Sequence, residues 1–257
     1  MGITIKNSSD IAKLREGGKV LKEALLKAME MAKRKDRKVS TLDLSLEAEK
    51  VILSYGAEPA FKNYSPDGEN FFPETACVSL NDEIVHGIPL EDRIIKKGDL
   101  VKIDVGVKYK NLITDSARTV LVGEKGYIAQ EILEVTKKSL DVGIKKIKAG
   151  AFLGDYGEAV EKFVLKNGFQ VVRDLVGHGV GYEVHEPPQI YNFGKVGTGI
   201  QWQEGMVIAL EPMVNQFKSG IKVGQDQTTF LTKDGGLSAH FEDTLVVTKN
   251  GTENLTR

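Results

Sequence analysis

The sequence has very few of the residues that stabilise secreted or membrane-bound proteins. Its 257 residues include one cysteine, Cys77, which excludes an internal disulfide framework and favours a reducing compartment. No segment approaches the roughly 20 consecutive apolar residues that cross a membrane. Residues 1–14 also lack the apolar core of a signal peptide. We therefore expect a cytoplasmic protein that makes no membrane contact.

Net charge is also nearly absent, since the chain has 35 lysines and arginines and 36 aspartates and glutamates. No global charge therefore directs the chain to nucleic acid or to a membrane surface. The hydrophobic content of 41% is ordinary for a globular protein. Because no low-complexity tract or Pro/Gly/Ser-rich linker divides the chain, we expect residues 1–257 to form a single catalytic domain.

Apolar periodicity predicts helix pairs that alternate with strands. The predicted helices cover residues 9–34, 41–54, 127–148 and 155–166, and the clearest strands cover residues 76–80, 83–85, 206–210 and 244–247. Ser8 or Ser9 is expected to cap the first helix, and a capping box that starts at Ser40 opens the second. Pro66-Asp67-Gly68 signals a β-turn. The order of elements indicates two similar αβ halves.

Residues 100–122 are predicted to form a β-hairpin that carries two aspartates. With Tyr109 and Lys110 at its tip, Asp104 lies directly opposite Asp115, and their Cβ atoms are about 4.5–5.5 Å apart. Carboxylates at this distance repel each other. A buried pair is tolerable when the two acids share a proton or bind a cation; in the alternative interpretation, one or both aspartates lie at a solvated strand end.

The second half of the chain adds further acids and a histidine at predicted strand ends. His178 lies between two glycines, which predicts a flexible backbone that lets a ligand approach closely. Glu211 ends an apolar strand before a proline, and Glu242 begins the last strand. Each residue alone is typical of a solvated position. Together with Asp104 and Asp115 they supply four carboxylates and one imidazole, a set suited to two adjacent divalent ions. Oxygen-rich ligation with one nitrogen favours Mn, Fe or Co over a structural zinc site.

Five sequence motifs, in order, resemble those of the type I methionine aminopeptidases. They are CVSLNDEIVHGIP at 77–89, IDV…TDSART at 103–119, GHGVG…HEPPQI at 177–190, EPMV at 211–214 and SAHFEDT at 238–244. The resemblance covers nearly the whole chain. It implies the α+β pita-bread fold of creatinases and aminopeptidases, with two similar αβ halves, a curved antiparallel sheet and outer helices. The family's metal ligands correspond to Asp104, Asp115, His178, Glu211 and Glu242.

The resemblance also implies an activity. Such an enzyme removes the N-terminal methionine from nascent proteins and peptides by hydrolysing the first peptide bond, with two divalent ions (Co, Mn, Fe or Zn) as cofactors. Glu211 would transfer the proton, His185 would donate to the scissile carbonyl oxygen, and His86 would contact the scissile nitrogen or the next backbone unit. Phe72 and Cys77 would line the pocket for the first side chain.

The expected partners are the N-termini of nascent polypeptides, with transient proximity to the ribosome, no nucleic-acid or membrane partner, and a monomeric state. His240 is expected either beside the metal ligands or in solvent.

Some residues depart from the family pattern. The tryptophan that bacterial members usually carry after EPMV is missing, since Trp202 is the only tryptophan. Glu242-Asp243-Thr244 and Asp104-Val105-Gly106 are similar to Xaa-Pro peptidases, so the alternative is an Xaa-Pro aminopeptidase or dipeptidase with the same dinuclear site. A third class, a pita-bread protein that binds partners without catalysis, would have lost ligands, and none is lost.

Overall fold

The computed structural model describes residues 2–65, 68–124 and 126–257, and these ranges contain four helices and fifteen strands. The helices are α1 (Ser8–Ala32), α2 (Thr41–Ser54), α3 (Tyr127–Ile144) and α4 (Leu153–Lys166). The strands are β1 (Glu58–Pro59), β2 (Ala76–Leu80), β3 (Glu83–Val85), β4 (Leu100–Tyr109), β5 (Leu112–Leu121), β6 (Gln170–Val171), β7 (Gly177–Gly179), β8 (Glu186–Ile190), β9 (Val207–Leu210), β10 (Met213–Asn215), β11 (Ile221–Val223), β12 (Phe230–Thr232), β13 (Ser238–His240), β14 (Asp243–Thr248) and β15 (Gly251–Asn254). None of the described helices combines the length and the apolar character needed to cross a membrane.

The helix ends show which local signals the sequence carries. The capping box at Ser40 is confirmed, with Ser40 and Asp43 each bonding the other's backbone amide. The prediction of Ser8 or Ser9 as the first cap is wrong, because the Asn7 side chain accepts the Asp10 amide instead. Helix α3 ends at Ile144, before the predicted residue 148, because the following amides bond carbonyls three residues back and tighten the last turn. The predicted turn at Pro66-Asp67-Gly68 lies partly outside the described residues.

The predicted hairpin is present, but its predicted register is wrong. Lys110 and Asn111 form the tip, with left-handed φ values of 50° and 64°. Two-residue hairpin turns favour positive φ at both central residues, a conformation that asparagine adopts more readily than tyrosine. As a result Asp104 pairs with Ala117 and Asp115 pairs with Gly106, so the two aspartates are diagonal neighbours on one face.

Two helix pairs pack on two antiparallel sheets, which confirms the α+β pita-bread fold. Helices α1 and α2 bury an apolar cluster against β2 and β4, and α3 and α4 bury a second cluster against β9 and β14. All strand pairings are antiparallel, in four hydrogen-bonded sheets. The two halves meet where Glu242 and Ala117 exchange backbone hydrogen bonds of 2.9 and 3.3 Å. Residues from both halves therefore meet along this seam.

Candidate active site

Three buried carboxylates come together at this seam. Asp104 lies on β4, Asp115 on β5 and Glu242 directly before β14, and each is at most 9% exposed. The Thr244 hydroxyl accepts the Asp115 amide at 2.9 Å and donates to the Asp115 carbonyl at 2.7 Å. The Ser116 hydroxyl donates to the Glu242 carbonyl. The backbone around Asp115 is thus fixed to the last strand, and the two acids cannot separate without breaking these bonds.

His178 and Glu211 approach the same point from the neighbouring strands β7 and β9. The His178 Nε2 atom is 3.4 Å from the Glu211 Oε1 atom. The Nδ1–H group of His178 donates to the Gly179 carbonyl at 2.9 Å, which leaves the Nε2 lone pair available as a ligand. The five predicted ligand residues are therefore brought together by three strands, which carry Asp104, Asp115 and His178, and by two residues next to strands, Glu211 after β9 and Glu242 before β14.

The glycines that flank His178 allow the neighbouring strands of the sheet to pack closely. A Cβ atom at Gly177 would lie 2.6 Å from the Ala209 carbonyl, and one at Gly179 would lie 2.4 Å from the Pro187 carbonyl. The sequence had suggested a flexible backbone that lets a ligand approach closely. His178 instead lies in strand β7, which is hydrogen-bonded between β8 and β9, and this packing holds the residue in place.

Burial dominates the electrostatics of the carboxylates. It raises the pKa of Asp104 to about 7 and that of Glu211 to about 8. Burial, followed by the charges of neighbouring acids, raises the pKa values of Asp115 and Glu242 well above their usual range. Burial lowers the pKa of His178 to about 3, so its imidazole is neutral, as metal ligation requires. Ionising the whole acidic set is costly unless a positive charge is supplied.

The donor set fits a divalent cation. Asp104 Oδ1, Asp115 Oδ1 and Glu242 Oε1 are buried and have no hydrogen-bond partner within the described ranges. Ligand atoms of Asp115, His178 and Glu242 all lie within 4.8 Å of one another, close enough to share an ion. Buried carboxylate oxygens without donors are expensive in a folded protein, and coordination by a cation satisfies them.

The two further histidines lie at the edge of this cluster. The His185 ring packs edge-on against His178, with ring centroids 4.5 Å apart. His86 follows β3 in the left-handed region, with φ of 59°, and its ring contacts Phe230. His86, His178, His185 and Glu211 line one cavity of about 470 Å³. The two histidines predicted to contact substrate therefore border one space together with two of the predicted ligands.

Cys77 and Phe72 belong to one apolar cluster beside the carboxylates. Cys77 pairs with Asp104 across the β2–β4 ladder. Burial raises the pKa of the Cys77 thiol well above its ordinary value, and the nearby acids raise it further. A neutral thiol of this kind is a poor nucleophile, so its environment suits a wall of the site.

Two residues that the sequence left open now have definite surroundings. His240 is 1% exposed, and its Nε2 atom lies 3.5 Å from Glu211 Oε2, so it lies beside the ligand set and away from solvent. Asp243, the residue that suggested Xaa-Pro peptidases, bonds Arg118 at 2.7 Å and Arg257 at 2.6 Å. Its fully buried carboxyl group therefore makes ion pairs that join β5 and the C-terminus to β14.

Sequence reasoning missed the residues that hold the His185 loop. The Tyr64 hydroxyl lies 2.9 Å from His185 Nδ1. The Glu186 carboxylate accepts the amides of Tyr182 and Glu183 and pairs with Lys6 at 2.5 Å. The Tyr64–His185 and Lys6–Glu186 contacts join residues 121 and 180 positions apart, so no local sequence pattern predicts them.

The Lys6–Glu186 pair is expected to stabilise the fold. The Lys6 and Glu186 side chains are 1% and 4% exposed, so Lys6→Met leaves a carboxylate buried without its cation. We expect this change to lower the free energy of unfolding by about 3–5 kcal/mol. Lys13→Met, which breaks a half-exposed pair with Asp10 at 3.8 Å, should cost less than about 1 kcal/mol. Urea denaturation of both variants tests this, and equal losses would contradict it.

The same pair gives a pH dependence. Burial alone would raise the pKa of Glu186, but hydrogen bonds from Lys6, Thr4 and the Tyr182 amide outweigh it and hold the pKa below the usual value. A depressed carboxyl pKa stabilises the fold above the unfolded value of about 4.3, and this contribution is lost as the pH falls through the folded pKa. Wild type should therefore lose more stability than the double variant Lys6→Met/Glu186→Gln between about pH 5 and pH 3.

Comparison with known proteins identifies the family of this chain. Residues 12–249 match the model of metallopeptidase family M24. The methionine aminopeptidase of Clostridium acetobutylicum is 39% identical over 254 residues, which cover 99% of this chain and 98% of that relative. The crystal structure of the Thermotoga maritima methionine aminopeptidase superimposes with a TM-score of 0.94, at 39% identity and over 100% of both chains.

A more distant structure, the prolidase from Pyrococcus horikoshii, has a TM-score of 0.76 and 24% identity. It matches 98% of this chain but only 63% of its own, and at this identity the likeness concerns the fold alone. The full-length matches are to methionine aminopeptidases. This chain belongs to metallopeptidase family M24, among the methionine aminopeptidases.

Proposed function

We propose that this chain removes the N-terminal methionine from nascent proteins and peptides by hydrolysing the first peptide bond. The observation that carries the proposal is the convergence of three buried acids with Glu211 and His178. Each of the three buried acids has an unpartnered oxygen that calls for a cation. Full-length similarity to methionine aminopeptidases supports the substrate. Residues 1–257 are proposed to form one catalytic domain of a cytoplasmic monomer, which works in transient proximity to the ribosome.

Two divalent ions, drawn from Co, Mn, Fe or Zn, are proposed to be held by Asp104, Asp115, His178, Glu211 and Glu242. When bound, such ions supply a water of lowered pKa and positive charge at the scissile bond. The oxygen-rich set suits Mn, Fe or Co. Asp115 and Glu242, whose amides bond Thr244 Oγ1 and the Ala117 carbonyl across the two halves, would each contribute carboxylate oxygens to these ions.

The chain's own groups handle the protons and the substrate. Glu211, beside His178 and His240, takes a proton from the attacking water and passes it to the leaving nitrogen. His185 donates a hydrogen bond to the carbonyl oxygen as negative charge develops there. His86 contacts the scissile nitrogen or the next backbone unit across the shared cavity, while Phe72 and Cys77 form walls for the first side chain.

The test is a panel of Met-Ala, Met-Pro, Leu-Ala and Ala-Pro peptides assayed with Mn, Fe, Co and Zn. We expect release of free methionine from Met-Ala peptides and little cleavage of Ala-Pro. Cleavage of Ala-Pro but not of Met-Ala peptides with every metal would replace the proposal by an Xaa-Pro peptidase.

The first-residue preference is expected to be shallow. An apolar pocket separates side chains of similar size by only about 1–3 kcal/mol, and the missing tryptophan removes one wall. The loop before β12 approaches His86, since the Thr229 hydroxyl donates to the His86 carbonyl at 3.4 Å. We expect methionine to be favoured over leucine by about 10-fold, the low end of that range.

Thr228→Trp, in the same loop, should raise the methionine-to-leucine ratio of kcat/KM or block entry of both peptides. Lys222→Trp, at an exposed position of β11, is the control and should leave the ratio unchanged. If both variants keep the wild-type ratio and KM, this loop does not form a wall of the pocket.

A further inference from the structure

The Tyr64 hydroxyl group is a direct neighbour of His185. It lies 2.9 Å from the Nδ1 atom, and the two ring centroids are 5.5 Å apart. Within the described ranges, His185 is the one hydrogen-bond partner that the structure gives this hydroxyl. A contact of this length is a full hydrogen bond, so it constrains both the ring and its proton.

Backbone bonds hold Tyr64 in place. The Asn63 amide donates to the Phe72 carbonyl at 2.8 Å, and the Phe72 amide donates to the Tyr64 carbonyl at 2.9 Å. The Tyr64 amide itself donates to the Phe61 carbonyl at 2.8 Å. The phenol ring therefore projects from a segment that is closed by three hydrogen bonds, and its hydroxyl has a defined position.

Other neighbours also hold His185 in place. Its ring meets the His178 ring at an interplanar angle of 76°. The next residue, Glu186, closes the preceding loop by accepting the Tyr182 amide at 2.6 Å and the Glu183 amide at 3.2 Å. Because the backbone and the ring orientation are both fixed, what can still change in a neutral His185 is which of its two ring nitrogens carries the proton.

The Tyr64 contact favours one of the two tautomers. If the proton is on Nε2, Nδ1 accepts the phenol O–H and Nε2–H remains a donor. If it is on Nδ1, Nδ1–H donates to the phenol oxygen, the phenol O–H loses its one acceptor among the described residues, and Nε2 presents a lone pair, which repels a developing oxyanion. We propose that Tyr64 is a positioning residue that fixes neutral His185 as the Nε2–H tautomer. The catalytic consequence rests on the proposed function of His185.

The tautomer can be observed without turnover. Nitrogen-15 NMR of histidine-labelled, metal-free and Zn-loaded protein at about pH 8 distinguishes protonated from unprotonated ring nitrogens, and loss of a signal in His185→Ala assigns it. Wild type should show the proton on Nε2, and Tyr64→Phe should show a mixture of the two tautomers. Tyr182→Phe is the matched control, since it removes a hydroxyl that bonds Asp10 at 2.8 Å in the same region.

Kinetics separate orientation from packing. Tyr64→Phe keeps the ring, so it should lower kcat about 10- to 100-fold, the usual cost of losing an orienting partner, with KM and bound metal nearly unchanged. A wild-type proton on Nδ1, or an unchanged tautomer in Tyr64→Phe, overturns the inference. A shifted tautomer with unchanged kcat upholds the inference and counts against the proposed role of His185. If wild type cleaves no methionine peptide, the proposed function fails while the spectra still decide the tautomer.

Discussion

Asp115→Asn is expected to abolish metal binding and activity while making the metal-free protein more stable. Loss of a ligand shared by the proposed ions should lower kcat/KM by more than about 10³-fold, beyond the 10²–10³ typical of a single oxyanion donor. Burial and neighbouring acids raise the pKa of Asp115. A carboxyl group whose folded pKa is raised destabilises the fold at any pH above its unfolded pKa of about 3.9.

The neutral amide removes this penalty, so at pH 7 the metal-free variant should be more stable than metal-free wild type by roughly 1–4 kcal/mol. Asp243→Asn provides a control of opposite sign, because it breaks the ion pairs of a fully buried carboxyl group with Arg118 and Arg257. The two arginine side chains are 17% and 42% exposed and remain solvated, so that change should lower stability by about 1–3 kcal/mol and leave metal bound. Denaturation with chelator, together with metal analysis, measures both effects. A metal-free Asp115→Asn protein that is less stable than wild type would contradict this account of the acids.

His185→Ala should lower kcat/KM by roughly 10²-fold or more and leave the bound metal in place. The reason is that His185 borders the cavity and touches His178 through ring packing, whereas its nearest polar contact is Tyr64. Its proposed task is donation to the substrate oxygen, which a methyl group cannot perform. His86→Ala should show a loss of the same order, since His86 borders the same cavity and is not among the proposed ligands.

Metal analysis of both histidine variants provides the internal control for these losses. Retained metal with reduced turnover is expected for each. Loss of metal in either variant would make that histidine a ligand and overturn its assignment to the substrate.

Local patterns in the sequence were sufficient for most of the fold. Strands β2 and β3 and helix α2 lie where alternation and a capping box predict them. The predicted hairpin register was wrong because the position of the turn depends on which residues tolerate a left-handed conformation. The turn forms at Lys110-Asn111 and not at Tyr109-Lys110. Even so, Asp104 and Asp115 share a face, because moving the two-residue tip by one position shifts the cross-strand partners by two residues, and an even shift keeps each side chain on its face.

The assembly of the site could be anticipated only in part. Acids in or next to predicted strands gave a candidate set, and the family resemblance supplied the five proposed ligands. Contacts made by single side chains over long sequence separations had no signal: Tyr64 reaches His185 and Lys6 reaches Glu186 only through the folded backbone. The position of His240 was left open for the same reason, since burial beside Glu211 depends on how β13 packs.

Cleavage of the first peptide bond is proposed to require bound metal, held by the five side chains proposed as ligands. The most direct measurement titrates Mn²⁺ into metal-free protein, counts bound ions by native mass spectrometry, and follows release of free methionine from a Met-Ala peptide in the same samples. We predict that turnover appears only as metal binds, that binding reaches two ions per chain, and that the products are methionine and a peptide beginning with alanine. A folded protein that binds no divalent ion, or that releases methionine equally well without metal, would contradict the account.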